Sequence, residues 1–232
     1  MSAPNTLGSL ALAAALAASG WWVADGLRAL RTADRYVTVK GLAEVEVPAD
    51  LVIWPITFVE AANELPALYA TLERNAEQVR AFLRQQGLED VEVSSGPPRL
   101  QDFRAEAYGD ASANRFRYRA ETTLTVRSND AKGVKRAMQN AGELVRQGVV
   151  FAAYSPPPEY VFTGLNEIKP QLIAEATGNA RRAAEQFATD SNSEVGGIRN
   201  ANQGVITISD RDAGTPDIKV VRVVSTVEYR LD

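Results

Sequence analysis

The sequence contains no histidine and no cysteine. Without histidine there is no imidazole general acid–base catalysis, no Ser-His-Asp triad and no imidazole metal ligand. Without cysteine there is no thiol nucleophile, disulfide, iron–sulfur ligand or thiolate zinc site. That absence assigns no compartment, because a cysteine-free chain is stable in oxidising and reducing surroundings alike. Two methionines leave little sulfur for direct scavenging of oxidants. The net charge of −4 argues against a nucleic-acid binder that works by general electrostatics. A phosphate-cradling loop is missing too: neither Gly196-Gly197 nor Gly204 is followed by Lys-Ser/Thr or by a helical pattern.

What is present describes an ordinary globular chain. Its 232 residues, 45% hydrophobic and 23% charged, suffice for one large domain or two small ones. The dominant stretch runs from Lys169 to Gly204. Leu172, Ile173, Ala176, Ala180, Ala183, Ala184, Phe187 and Ala188 recur at three- and four-residue intervals, while Glu175, Asn179, Arg182 and Gln186 fall opposite. This spacing predicts a long amphipathic helix. Its apolar stripe is mostly alanine, so its backbone can approach a sheet or a neighbouring subunit closely. Pro170 fits the first turn and would kink a helix that starts nearer Gly164.

Pro4 to Ala24 carries no charge. That matches the roughly 20 residues needed to cross a bilayer, and Trp21 and Trp22 stand at one end, where indoles favour the headgroup layer. An uncleaved anchor is preferred to a cleaved signal peptide, because no Lys or Arg precedes the run and the tryptophans crowd the place of cleavage. Arg28, Arg31 and Arg35 follow the span; the positive-inside rule alone would keep the large domain in the cytoplasm.

The globular part begins at Tyr36. Val37, Val39, Ala43, Val45 and Val47 alternate with Thr38, Lys40, Glu44 and Glu46, with Leu42 out of phase, which reads as a half-buried strand. The next strand, Leu51 to Ala61, is apolar on both faces and contains Pro55, which cannot donate to a ladder. An edge strand of that kind wants a cover, and Trp54, Ile56 and Phe58 are the candidate oligomer interface. A helix from Leu65 to Leu83 stopped by Gly87 follows, then a short strand at Val91 and Val93. Two alternating segments come next, from Leu100 and from Arg115, with Phe116, Tyr118, Ala120, Leu124 and Val126 inward and Arg115, Arg117, Arg119 and Arg127 outward. A helix through Val134, Ala137, Met138, Ala141, Leu144 and Val145 precedes a strand from Val149 to Tyr154. The Pro156–Pro158 spacer, a short extended piece from Glu159 to Thr163, the alanine helix and two late strands complete the chain. The order indicates an α+β fold: a largely antiparallel sheet covered by about three helices and preceded by one N-terminal transmembrane helix. The domain division is residues 1–35, anchor and linker, and 36–232.

The candidate chemistry is sparse. The arginine stripe lies on the face opposite its aromatics, whereas stacking recognition needs both on one face; Asp102 and Glu106 are placed to pair with it, and no nucleic-acid partner is expected. Asp210, Asp212 and Asp217 around Gly214 loosely resemble a calcium loop but lack EF-hand spacing. Ser94, Ser155 and Ser191 have no local base, and none of Lys40, Lys132, Lys135, Lys169 or Lys219 is singled out for a Ser-Lys pair. Among 29 acidic residues no spacing marks a glycosidase pair. Asn200, Asn202 and Gln203 read as a bulged strand end. No catalytic, cofactor or metal residue is assigned, and no cofactor is expected.

Four stretches in order, VTVKGLAEVEVPADL, EATGNARRAAEQFA, GGIRNANQG and VRVVSTVEYRL, make the chain from Tyr36 to Leu231 resemble the SIMPL-domain (DUF541) family. The resemblance implies an exported bacterial envelope protein; some relatives are linked to oxidative-stress defence, and one forms a ring- or channel-like oligomer. The expectation is therefore a non-enzymatic envelope protein that self-assembles as a homo-oligomer and is linked to oxidative or envelope stress defence. It would be held at the bacterial inner membrane by residues 4–24, with its C-terminal domain in the periplasm. A carboxylate-based envelope hydrolase, and a small-ligand or calcium-binding sensor, stand as alternatives.

Overall fold

The computed structural model describes residues 14–24, 26, 35–105 and 116–232. Where the sequence suggests one domain from residue 36 onward, the chain divides into two compact units. One comprises Met1–Val45, Ile168–Thr207 and Val221–Asp232; the other comprises Glu46–Glu167 and Ile208–Val220. The architecture is α+β, as the element pattern indicates, but from residue 35 onward the described residues form two sheets rather than one and four helices rather than three.

The first unit is built on strands β1 (Tyr36–Pro48), β7 (Val195–Gln203) and β9 (Ile218–Leu231) in the order β1-β9-β7; β8 (Thr207–Asp210), which from Ile208 on belongs to the second unit, also pairs β9. Strand β1 keeps its period-two alternation through the middle, so Gly41 takes the inward place and Leu42 stands outside. Helix α4 (Leu165–Asp190) buries Leu172, Ala176, Ala180, Ala184 and Ala188, a strict four-residue row. The alanines let the helix lie very close to β1, and only glycine fits at the point of contact. A Cβ on Gly41 would stand 1.8 Å from the carbonyl oxygen of Ala176. Asn179 Nδ2 also donates to the Leu42 carbonyl at 2.5 Å. Phe187, expected on the buried stripe, is exposed. Pro170 is the sixth residue of α4, so it removes an N–H inside the helix rather than in its unpaired first turn.

The second unit centres on an antiparallel sheet ordered β3-β5-β2-β6, with β4 also on β5. Its members are β2 (Leu51–Ala62), β3 (Glu92–Ser95), β4 (Arg99–Asp102), β5 (Tyr118–Ser128) and β6 (Glu159–Val161). Helices α1 (Leu65–Gln85), α2 (Ala131–Asn140) and α3 (Gly142–Arg146) supply the apolar side chains that close one core. Val52, Trp54, Ile56 and Phe58 of β2 join Ala120, Leu124 and Val126 of β5, Leu68, Leu72, Val79, Phe82 and Leu83 of α1, and Val134, Ala137 and Leu144. Each large side chain buried this way stabilises the fold by about 1.5–3 kcal/mol.

Strand β2 is not an edge. It pairs with β5 along its whole length and with β6 at Leu51–Ile53 on its other side. Pro55 is tolerated because of where its missing N–H would point. Thr57 O accepts from Ala152 N, and Val59 N donates to Val150 O. Alternation therefore aims the Pro55 nitrogen to the same side, where the chain from Ala152 to Pro158 leaves the ladder. The strand expected from Val149 to Tyr154 reduces to a single bridge, Phe58 with Phe151. The single helix expected from Val134 to Val145 is broken at Ala141-Gly142, and Val145 is exposed. Asp130 caps α2 by accepting from Gly133 N at 2.8 Å, while Gly87 and Gly148, both at positive φ, end the turns after α1 and α3.

Candidate functional site

The solvent face of the second unit's sheet carries a concave surface. Strand β3 pairs with β5 at residues 124–127 and β4 pairs with it at 118–121, which leaves Thr122 and Thr123 between them. Gly96-Pro97-Pro98 spans that gap, and the prolines offer no N–H to pair there; Gly96 N alone reaches Thr123 O, at 3.2 Å. The result is a groove of about 480 Å³ floored by Thr57 and Thr123 and walled by the two proline-bearing loops, with Arg99, Glu121 and Tyr154 at its rim. A second, more apolar groove of about 410 Å³ opens beside Pro55 of β2, among Trp54, Met138, Phe151 and Pro156–Pro158. In sequence these loops are marked only by their prolines, Pro97-Pro98 and Pro156–Pro158.

On α2, Lys135 Nζ donates to Asp217 Oδ2 at 2.8 Å. The other Asp217 oxygen is buried without a partner. Lys135 holds the Asp217 carboxyl below the ordinary carboxylate range, and the same contact raises the Lys135 ammonium. Burial, reinforced by Asp217, pushes the Tyr160 phenol up; its hydroxyl lies 3.9 Å from Met138 Sδ. The raised Lys135 ammonium is unlike a nucleophilic lysine, which must lose its proton, and the lowered Asp217 carboxyl is unlike a general acid, which needs a raised one. The remaining resolved carboxyls behave alike. Asp102 is lowered by its hydrogen bond to Arg117, and Asp212 by those to Thr215 and Arg211.

The residues singled out in the sequence separate in space. Trp54, Ile56 and Phe58, expected at an oligomer interface, are buried in the subunit's own core beneath α1 and α2. That assignment is corrected: a face already packed on helices cannot receive a second subunit. Trp21 and Trp22 are 73% and 79% exposed on a helical stretch at residues 14–24. Residues 4–13 of the expected span lie outside the described residues, and no described helix is long and apolar enough to cross a membrane. The three loop aspartates diverge. Asp210 pairs with Lys219 and Asp217 with Lys135, while Asp212 accepts from Gly214 N, Thr215 Oγ1 and Arg211. Among the described residues no acidic cluster is placed to hold a metal ion.

Ser155 Oγ donates to the Pro55 carbonyl and Ser191 Oγ to that of Phe187, so neither has a base. Arg117 pairs with Asp102 at 3.0 Å across the hairpin, the solvated sheet face that alternation suggested, although Phe116 is exposed rather than inward. Glu106 and Arg115 lie outside the described residues. Asn200, Asn202 and Gln203 are exposed on β7, whose ladder with β9 is bulged between Val195 and Asn200.

A family model described as SIMPL, a protein of unknown function (DUF541), matches residues 37–228. The chain belongs to the SIMPL family. The match spans strands of both units, from β1 to β9. No curated protein matches the SIMPL chain. Among solved structures, an amidase of the hydantoinase/carbamoylase family from Burkholderia phymatum is similar at 13% identity and a TM-score of 0.28. The likeness covers 58% of the SIMPL chain and 33% of the amidase, too little for any argument about activity.

Proposed function

We propose that this SIMPL protein is a non-enzymatic, membrane-anchored component of the bacterial envelope whose folded part self-associates. The observation that carries the reading is the edge of β7, which pairs with no further strand among the described residues. Strand β7 ends the order β1-β9-β7, and from Ile198 to Gln203 every residue is exposed. Natural edge strands are usually blunted by charge, proline or a covering element. Arg199 is the one charge in that stretch and its guanidinium lies over the Tyr36 ring; Asn200, Ala201, Asn202 and Gln203 carry neither charge nor proline, and Ile198 and Val205 are 55% and 85% exposed. Such an edge is suited to strand addition from a second copy.

Anchoring rests on the uncharged run from Pro4 to Ala24, with Leu16, Trp21, Trp22 and Val23 exposed on its described part; lipid would cover them. The domain is assigned to the periplasm because long domains translocate largely regardless of nearby Arg residues. Involvement in stress defence rests on the family resemblance alone. The deciding experiment is the mass of the detergent-extracted full-length protein beside a version starting at Tyr36. Equal large species support assembly by the folded part; a monomeric shorter form would assign assembly to the N-terminal segment.

A further inference from the structure

The groove between the two proline loops of the second unit has the chemistry of a ligand site. Its volume of about 480 Å³ falls in the range of small-molecule pockets. Its walls are stiff, since Pro97, Pro98 and Pro156 fix their own backbones, and a site shaped in advance loses little entropy on binding. On the floor, the hydroxyls of Thr57 and Thr123, cross-strand partners, share one hydrogen bond of 2.9 Å. Two hydroxyls joined by one bond keep one proton over. That proton is free to donate into the groove.

The charges are unequal. Arg99 and Glu121 face each other in the β4–β5 register, and Arg119 reaches Glu121 only at 4.0 Å. Arg99 makes no ion pair among the described residues. Arg99, Arg119 and Glu121 also line a small hollow of about 200 Å³ that continues the groove. Two guanidinium groups against one carboxylate leave a single positive charge locally, in a chain whose net charge is −4. A carboxylate is the natural occupant of an unpaired guanidinium. Tyr154, at 92% exposure, contributes nothing to the core, yet it presents a ring and a hydroxyl beside Pro156. Aromatic and prolyl rings pack well on the C–H faces of pyranoses, and the threonine hydroxyls suit sugar hydroxyls.

We infer that this groove binds a carboxylate-bearing saccharide, with Arg99 taking the carboxylate, Tyr154 stacking on a ring and the Thr57–Thr123 pair bonding a hydroxyl. The test is calorimetric titration of the full-length, detergent-extracted protein with digalacturonate, with cellobiose as neutral disaccharide and acetate as bare carboxylate, all at constant ionic strength. Digalacturonate should bind, and cellobiose and acetate should each bind about tenfold or more weakly. Arg99→Gln should weaken digalacturonate binding by about tenfold or more, Arg99→Lys should restore part of it, and Tyr154→Ala should weaken both disaccharides. Arg99 and Tyr154 are exposed, so an unchanged circular dichroism spectrum is expected for each variant. The assignment is overturned if digalacturonate fails to bind at roughly millimolar concentration, or if cellobiose or acetate binds as well. Unaltered affinity in Arg99→Gln overturns it equally.

Discussion

Gly41 of β1 and Ala176 of α4 meet backbone to backbone: a Cβ on Gly41 would lie 1.8 Å from the Ala176 carbonyl oxygen and 2.5 Å from Ala180 N. Neither partner can yield as a flexible side chain would. Gly41→Ala must therefore push α4 off the sheet, at the upper end of the roughly 1–3 kcal/mol that overpacking costs or beyond it. Urea denaturation should show a lowered midpoint. Ala176→Leu should be at least as harmful, because its row of alanines leaves no space for a longer side chain. A tolerated Gly41→Ala with an unchanged midpoint would mean that helix and strand are further apart.

Phe58 has no exposed surface and sits among α1, β5 and the Phe151 bridge. Phe58→Ala should lower unfolding stability by about 3–5 kcal/mol, the usual cost of removing a buried phenyl ring. The loss should appear in chemical denaturation followed by tryptophan fluorescence, with Trp54 in the same cluster as reporter. Dissociation of an otherwise intact fold would instead return β2 to an interface.

Lys135 and Asp217 give stability a specific pH dependence. The folded Asp217 carboxyl lies below its unfolded value, so its contribution is complete above the unfolded pKa, about 3.9, and disappears as pH falls through the folded value. The ammonium of Lys135 is raised; its contribution is complete below the unfolded pKa, about 10.4, and is lost as pH rises through the folded one. Asp217→Asn should flatten both limbs in melting curves taken at intervals of pH. Lys135→Met should destabilise more at neutral pH than Asp217→Asn, since it strands a carboxylate whose Oδ1 already lacks a partner. Identical acid limbs in wild type and Asp217→Asn would remove the pair from this role.

Local pattern revealed most of the elements but not their neighbours. The alanine row of α4, the alternation of β1 and β5, and Gly87 as a stop were legible because each is set by residues within a turn or two of one another. Trp54, Ile56 and Phe58 were misread because a strand apolar on both faces looks the same at an interface and in a core. What decides between them is α1 and α2 packing from elsewhere in the chain. Gly41 hides similarly: in sequence it is only a glycine beside an out-of-phase Leu42, and its purpose lies 135 residues away at Ala176. The groove at Thr57 and Thr123 depends on strand register, which no local spacing encodes.

The free edge of β7 offers a substitution that separates assembly from folding. Gly204 N donates to Val224 O, so by alternation Asn202 and Asn200 also point their backbone groups toward β9, while Ala201 and Gln203 point theirs outward. Ala201→Pro therefore removes an outward N–H and spares the inner ladder. If a second copy adds its strand here, Ala201→Pro should reduce the large species to monomer in sedimentation of the form starting at Tyr36, with melting temperature nearly unchanged. Ile198→Asp should act in the same direction by placing charge on the edge. Should both variants assemble like wild type while remaining folded, the copies meet elsewhere, and the open edge of β7 must be accounted for without a second subunit.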